Sequence, residues 1–373
     1  MNKYEPIFVT KPFLPPLDEY VVSLKEIWKS CQLTNNGPFH EKLESKLASY
    51  LGVKYISLFA NGTLALMAAL QVSGIKGDVI TTPFSFVATT HALYWNGLNP
   101  VFCDIENEYM NLDPKSIEKA ITPKTKAILP VHVYGNPCNV KAIKKIADKH
   151  NLKLIYDACH AFDVKINNQP VLNYGDLSVL SFHATKVFTT FEGGAIISHD
   201  KRTKNKIDLI RNFGFAGETS VVMPGINSKM NETEAAFGLL QLKYVKQAIN
   251  KRKNITNYYR DKLSLIPGIS CLQDISQVKH NYAYFPIRID KEEYGISRDE
   301  VYGVMKENNI HCRRYFYPLI SKFYPYNKLP TSKTRNLPIA EKVSKEILCL
   351  PIYPDLKRNI QDIILNILCK RRK

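Results

Sequence analysis

The 373-residue chain predicts an α/β fold: a large domain built on a mostly parallel central sheet, then a smaller C-terminal α+β domain. Three observations carry this. From about residue 39, short apolar runs alternate with stretches of helical period. The runs are apolar throughout, as in parallel strands covered on both faces. Near residue 250 the alternation gives way to a helical stretch rich in Lys and Arg. That change places the large domain over 31–250 and the small one over 251–373, with residues 1–30 as an N-terminal arm and helix.

The arm is extended and proline-rich (Pro6, Pro12, Pro15, Pro16). Asp18 then caps a helix that carries Tyr20, Leu24, Ile27 and Trp28 on roughly one face. Residues 33–38, Leu-Thr-Asn-Asn-Gly-Pro, are a dense turn signal. Asn35 and Asn36 there either line a site or simply make the turn. A helix over 39–51 turns Leu43 and Leu47 inward, and 55–59 is a short apolar strand. Asn61-Gly62-Thr63 opens a helix over 64–72. Strands over 79–82, 100–103, 125–131 and 152–156 are separated by helices over 85–95, 114–121 and 140–150. Two further strands, 176–181 and 194–198, bracket a connection holding Lys186. Helical character runs from 243 to 263, a strand is expected over 280–287, and helices over 299–308, 340–347 and 360–368. Aromatic residues crowd 313–326.

Composition narrows the function classes. Hydrophobic residues make up 45% and charged residues 23%, ordinary for a globular protein. No apolar run reaches the length of a membrane span. The first ten residues lack a basic segment followed by an apolar one, so a cytoplasmic location is expected. The eight cysteines show no C-x-x-C spacing and no zinc pattern, which predicts reduced core thiols and no metal. The net charge of +17 is spread along the chain, with one short cluster at Lys370–Lys373. Without a recognisable nucleic-acid module, it describes a lysine-rich surface, or steering of a small anionic substrate, rather than a nucleic-acid partner.

In an open α/β sheet, ligands sit at the carboxyl ends of the strands, and four features fall there. Asn61-Gly62-Thr63 offers free backbone N–H groups and a hydroxyl to a phosphate, or is an ordinary capped helix start. Phe86, after a strand, either covers a flat heteroaromatic ring or packs in the core. Asp157, at a strand end among apolar residues, needs a cationic or hydrogen-bonding partner. A pyridinium nitrogen would serve, with His160 beside the ring hydroxyl; the alternative is a helix cap. In Ser181-Phe182-His183-Ala184-Thr185-Lys186, Ser181 can donate to a phosphate and Lys186 can form a Schiff base. Burial between two core strands is expected to lower the lysine's pKa and make it a nucleophile. A phosphate cradle, a ring cover, a pyridinium partner and a Schiff-base lysine are together what pyridoxal 5′-phosphate requires.

These motifs resemble those of the DegT/StrS-type pyridoxal-phosphate-dependent nucleotide-sugar aminotransferases. The likeness continues through Glu192-Gly193-Gly194, Gly225-Ile226-Asn227-Ser228-Lys229-Met230 and Arg313-Arg314-Tyr315-Phe316-Tyr317-Pro318, and so covers nearly the whole chain. It implies the fold-type I aminotransferase architecture and a homodimer with shared active sites. It implies Gly62, Thr63 and Ser181 on the cofactor phosphate, Phe86 over the ring, Asp157 on the ring nitrogen, His160 near the ring hydroxyl, and Lys186 as the catalytic lysine. Asn227 matches a residue that reaches the neighbouring subunit's cofactor; Lys229 stands where the family often has Arg. The implied reaction takes an amino group from L-glutamate, holds it as pyridoxamine 5′-phosphate, and delivers it to a nucleotide-linked keto sugar. The likeness is greatest to the branch acting on 4-keto-6-deoxy hexoses, with dTDP-4-dehydro-6-deoxy-D-glucose as acceptor and a bacterial surface polysaccharide such as O-antigen as destination. Arg211 and Arg313 are candidates for a carboxylate or diphosphate, or for structural ion pairs. Tyr315 and Tyr317 are candidates for the sugar-nucleotide site, or for small-domain core. The competing functions are a 3-amino or GDP/UDP-sugar aminotransferase, a sugar dehydratase of the same fold (disfavoured by Lys186), and a cofactor-binding regulator.

Overall fold

The computed structural model describes residues 5–370; positions 371–373 of the basic C-terminal cluster, and 1–4 of the N-terminal segment, lie outside them. In chain order, β1 (Ile7–Phe8) leads to α1 (Leu17–Ser30), α2 (Pro38–Leu51), β2 (Tyr55–Phe59), α3 (Gly62–Val72), β3 (Asp78–Thr81), α4 (Ala88–Trp95), β4 (Asn99–Phe102), α5 (Pro114–Ala120), β5 (Thr125–Leu129), α6 (Val140–Lys149) and β6 (Lys153–Asp157). Then come β7 (Lys165–Ile166), β8 (Gln169–Pro170), β9 (Leu177–Ser181), β10 (Gly194–Ser198), α7 (Lys201–Ile210) and α8 (Glu232–Leu263). The C-terminal part holds β11 (Ile269–Cys271), β12 (Val278–Lys279), β13 (Phe285–Ile289), α9 (Lys291–Tyr294), α10 (Arg298–Glu307), β14 (Ile310–His311), α11 (Pro338–Glu346), β15 (Ile347–Leu350) and α12 (Arg358–Lys370).

Seven strands form the central sheet in the order β2-β10-β9-β6-β5-β3-β4. All neighbours are parallel except β10, which runs antiparallel to both β2 and β9. The carboxyl ends of β2, β3, β6 and β9 therefore lie along one edge. The strands are buried on both faces: Leu58, Ile80, Ile128 and Leu180 belong to one apolar cluster, while Phe59, Val79, Ala127 and Val179 belong to the other. Local signals set the helix starts. Asn61 Oδ1 accepts from Leu64 N–H at 2.9 Å to cap α3, Asp113 caps α5 with proline at its first position, and Asn231 and Glu234 form a capping box on α8.

The structure departs from the sequence expectations at several places. The boundary expected at residue 250 falls inside α8, which runs unbroken for 32 residues. Its buried positions (Val245, Ile249, Arg252, Thr256, Tyr259, Leu263) keep a helical period straight through 250, so one helix serves both parts. Of the expected inward face of α1, Ile27 is buried but Trp28 is 70% exposed, one residue round the helix. The helix expected over 340–347 stops at Glu346, and the chain passes directly into β15, whose four residues are all buried. In the C-terminal part, β11, β13 and β15 form a separate antiparallel sheet in that order. The strand expected over 280–287 begins only at Phe285, because His280 Nδ1 accepts from Tyr282 N–H and Asn281 is tied to His160 O and Phe162 O. That irregular stretch delivers Tyr284 to the sheet edge described next.

Candidate active site

A cavity of about 620 Å³ opens at the carboxyl edge of the sheet, lined from the ends of β2, β3, β6 and β9. Gly62 and Thr63 enter it from the first turn of α3. The leading N–H groups of a helix have no intrahelical acceptors, so this turn presents donors and the positive end of the helix dipole. A β-carbon on Gly62 would lie 2.8 Å from the Ser181 β-carbon. The first turn of α3 can therefore lie this close to Ser181 only because residue 62 has no side chain.

Asp157 ends β6 and is nearly fully buried. Its Oδ2 accepts from the Thr89 hydroxyl at 2.7 Å, and Oδ1 from Cys159 N–H at 3.1 Å. Thr89 is in turn 2.8 Å from the Ser85 hydroxyl. A carboxylate has about four acceptor positions, so capacity remains for a cationic ligand group. Phe86 sits above, 59% exposed in the open cavity.

His160 is a neutral imidazole, its pKa well below the ordinary histidine value through burial, then the Lys186 ammonium and His132. Its Nδ1 accepts from Tyr134 N–H at 3.2 Å, which places the ring proton on Nε2. The ring is parallel to Phe316, 6.0 Å between centroids. His160 thus presents a donor, in a fixed tautomer, from an aromatic wall.

Lys186 lies in the connection between β9 and β10, with Nζ 3.4 Å from the Tyr284 hydroxyl. The expected lowering of its pKa is not what the structure gives. Burial does pull it down, but Tyr284, then Cys159 and Asp157, favour the ammonium, and the balance lies above the ordinary lysine value. Sequence position made the burial legible but not these partners, which come from residues 98 and about 30 positions away.

Of the candidate residues, Gly62, Thr63, Phe86, Asp157, His160, Ser181, Lys186 and Tyr315 line this one cavity. Arg211 does not. Its guanidinium is buried against Glu44 and Asp208, and donates to Leu58 O at 3.0 Å; committed to that network, it is a structural ion pair rather than a substrate ligand. Tyr317 is held between the Arg298 and Arg314 guanidinium groups, at 4.7 and 5.0 Å, outside the cavity lining. Arg313 is exposed and makes a backbone bridge to Cys349. Asn35 and Asn36 are exposed and left-handed, with φ of 62° and 58°, the backbone of a tight turn. Asn227 is exposed, its Oδ1 accepting from Lys229 Nζ at 2.9 Å. Sequence reading missed Tyr284, Thr89, His183 and Glu192 as lining residues. His183 and Glu192 stand inside the motifs already singled out and Thr89 in the helix expected after Phe86, whereas Tyr284 looked like one more residue of an expected strand.

The DegT/DnrJ/EryC1/StrS aminotransferase family matches residues 18–368 of this sequence. The chain belongs to that family. As a family member it is a pyridoxal-phosphate-dependent aminotransferase. It is 51% identical over 362 residues to the dTDP-4-amino-4,6-dideoxy-D-glucose transaminase of Shigella dysenteriae, covering 97% of this chain and 98% of that one. It is 53% identical over 355 residues to the transaminase of the same name from Escherichia coli, covering 94% and 95%. The crystal structure of DesI in the presence of its TDP-sugar product aligns with a TM-score of 0.94 at 34% identity, over 100% of this chain and 94% of that one. The α/β fold with a mostly parallel sheet is thus the fold of DegT-family aminotransferases.

Proposed function

We propose that this aminotransferase transfers the amino group of L-glutamate to dTDP-4-dehydro-6-deoxy-D-glucose, giving dTDP-4-amino-4,6-dideoxy-D-glucose and 2-oxoglutarate. The observation that carries the choice of sugar is the identity of 51% and 53%, over nearly the full length, to two transaminases named for that product. The chemistry rests on the meeting of Lys186, Asp157 and the first turn of α3 in one cavity.

Those residues fit pyridoxal phosphate. The close approach of Gly62 to Ser181 brings the first N–H groups of α3 and the Ser181 hydroxyl to one end of the cavity, which suits a phosphate at a helix N-terminus, and the spare acceptor capacity of Asp157 suits a protonated ring nitrogen. When bound, the cofactor supplies an electron sink for charge developing on the carbon that carries the nitrogen. Asp157 keeps the ring nitrogen protonated, with Thr89 orienting the carboxylate. The N–H groups of Gly62 and Thr63 and the Ser181 hydroxyl would hold the phosphate, Phe86 would cover the ring, and His160 would donate a hydrogen bond from Nε2–H to the ring oxygen. Lys186 Nζ, in its neutral amine form, would take the proton from the glutamate α-carbon and, in the second half of the cycle, return one to the sugar carbon.

The working unit in this reading is a homodimer. Asn227 stands apart from its own cavity on a stretch that exposes Phe213, Phe215, Val221 and Val222, a surface suited to a second copy whose site it completes. Among the described residues no helix is long and apolar enough to cross a membrane, and the reading places the enzyme with its nucleotide-sugar substrate in the cytoplasm.

The test is spectroscopic and then chemical. Loaded with pyridoxal phosphate, the protein should show a visible absorption band that L-glutamate removes. Adding dTDP-4-dehydro-6-deoxy-D-glucose should restore it, with nuclear magnetic resonance placing an equatorial amine at C-4 of the product. No visible band overturns the cofactor chemistry; a band restored only by another keto sugar overturns the substrate.

A further inference from the structure

Two carboxylates line the cavity, Asp157 and Glu192. The proposed cofactor contacts use the first and leave the second over. Glu192 follows Phe191, whose φ of 67° is a left-handed conformation uncommon for a bulky residue. The surroundings hold that conformation in place. The Phe191 ring stacks on Phe237, 4.1 Å between centroids and 23° between planes, and leans on Tyr20. The Thr190 hydroxyl donates to Glu192 O at 2.5 Å, and Phe182 N–H to Gly193 O at 2.8 Å. A β-carbon at Gly193 would lie 2.1 Å from Thr190 Oγ1, so the turn admits no bulk. The side chain itself is 54% exposed and meets His183. His183 Nδ1 accepts from Thr185 N–H at 3.2 Å, so the ring proton is on Nε2, which faces Glu192 Oε1 at 3.5 Å. Among the described residues, Oε2 of Glu192 has no hydrogen-bond partner.

An acid at this position meets the two substrates differently. L-glutamate brings no hydroxyl to such an acceptor. A nucleotide-linked 4-keto-6-deoxy hexose carries no charge on its ring, and has hydroxyls left only at C-2 and C-3. A carboxylate is acceptor-only, and a hydrogen bond from a neutral hydroxyl to a charged acceptor is among the stronger ones. We propose that Glu192 binds a ring hydroxyl of the acceptor hexose and so sets sugar specificity, with His183 as the residue that positions it. The inference rests on the nucleotide-sugar reading above.

The experiment compares Glu192→Gln and His183→Gln with wild type, each loaded with pyridoxal phosphate. The glutamate half-reaction, followed by loss of the visible band, should stay within about twofold, since it makes no use of the hydroxyl contact. The KM for the keto sugar should rise about tenfold or more for Glu192→Gln, and less for His183→Gln. Calorimetry gives a reading independent of turnover: affinity for the amino-sugar nucleotide should fall by a similar factor while affinity for dTDP alone holds. For the 2-deoxy or the 3-deoxy sugar, whichever lacks the contact, wild type and Glu192→Gln should bind alike. Equal losses in both half-reactions, or an undiminished difference with both deoxy sugars, would overturn the proposal and leave the aminotransferase reading standing. Should wild type itself aminate no dTDP-linked keto sugar, the substrate reading fails first. The same split is then required of whichever nucleotide sugar is accepted, and acceptance of none overturns both.

Discussion

A methyl group on Gly62 would come within 2.8 Å of the Ser181 β-carbon and 3.1 Å of its hydroxyl oxygen. The first turn of α3 and the end of β9 therefore touch where residue 62 lacks a side chain, beside the helix's N–H donors. Gly62→Ala should push that turn away from Ser181. We expect an intact fold, by circular dichroism, and an affinity for pyridoxal phosphate at least about tenfold weaker in a fluorescence titration. Wild-type affinity would show that the phosphate site does not depend on this close approach.

Asp157 and Thr89 give a graded pair. Asp157→Asn removes the charge that keeps the ring nitrogen protonated, and single-turnover rates with L-glutamate should fall about a hundredfold or more. Thr89→Val removes one donor and leaves the carboxylate, so the loss should be smaller, about tenfold. Rates for Asp157→Asn close to wild type would make Asp157 a structural cap.

Lys186→Ala should still bind the cofactor, through the phosphate cradle and Asp157, yet show no transamination, because Lys186 Nζ is the group that moves the proton in both halves of the proposed cycle. Measured turnover above background would remove Lys186 from the mechanism.

Glu234 lies behind Glu192, at the start of α8, and burial, with the charge of Glu192 adding, pushes its carboxyl up to about 7; Tyr20 is the other titratable group whose ionisation it influences. A carboxyl raised above its unfolded value holds its proton better folded than unfolded. Its contribution is thus fully present at low pH and is lost as pH rises from about 4.5 towards 7. Glu234→Gln keeps the side-chain oxygen of the capping box and removes the charge. It should raise Tm by a few degrees at pH 8, with the gap closing near pH 5. A gap that does not change with pH would mean that Glu234 stays charged in the fold.

For Arg211, the expectation is a loss of stability and not of substrate affinity. Arg211→Met leaves Glu44 and Asp208 with Lys204 as their paired cation and should cost about 1–3 kcal/mol in a urea melt, with the sugar KM of the folded fraction unchanged. A raised KM without a loss of stability would restore it as a ligand.

Much of the fold was legible because buried parallel strands are uniformly apolar, and because Asn61-Gly62-Thr63 marks a helix start; the start of α8 was not, since helical character was expected only from residue 243 and the helix begins at Glu232. The strand β15 was not, since Ile347–Leu350 follows a helix without a turn residue and an apolar run alone does not separate strand from helix. In the site, Asp157 and Lys186 showed themselves by chemistry at strand ends. Tyr284 did not, because its position depends on the irregular stretch that Asn281 anchors from across the molecule. Arg211 and Arg313 looked alike in sequence, and only the neighbourhood of Glu44 and Asp208 separates them.

The first strand has a consequence for how the protein is made. Ile7 and Phe8 pair with Ile310 and His311, Val9 O accepts from Ile352 N–H, and Phe13 O from Gln241 Nε2. The partners of β1 therefore leave the ribosome about 300 residues after it, an interval of roughly 15–60 s at usual elongation rates. During that time the segment has nothing to pair with, while the central sheet can already assemble. Folding finishes by a return of the beginning of the chain to its end, so a tag or fusion placed ahead of Ile7 acts on the last step of assembly.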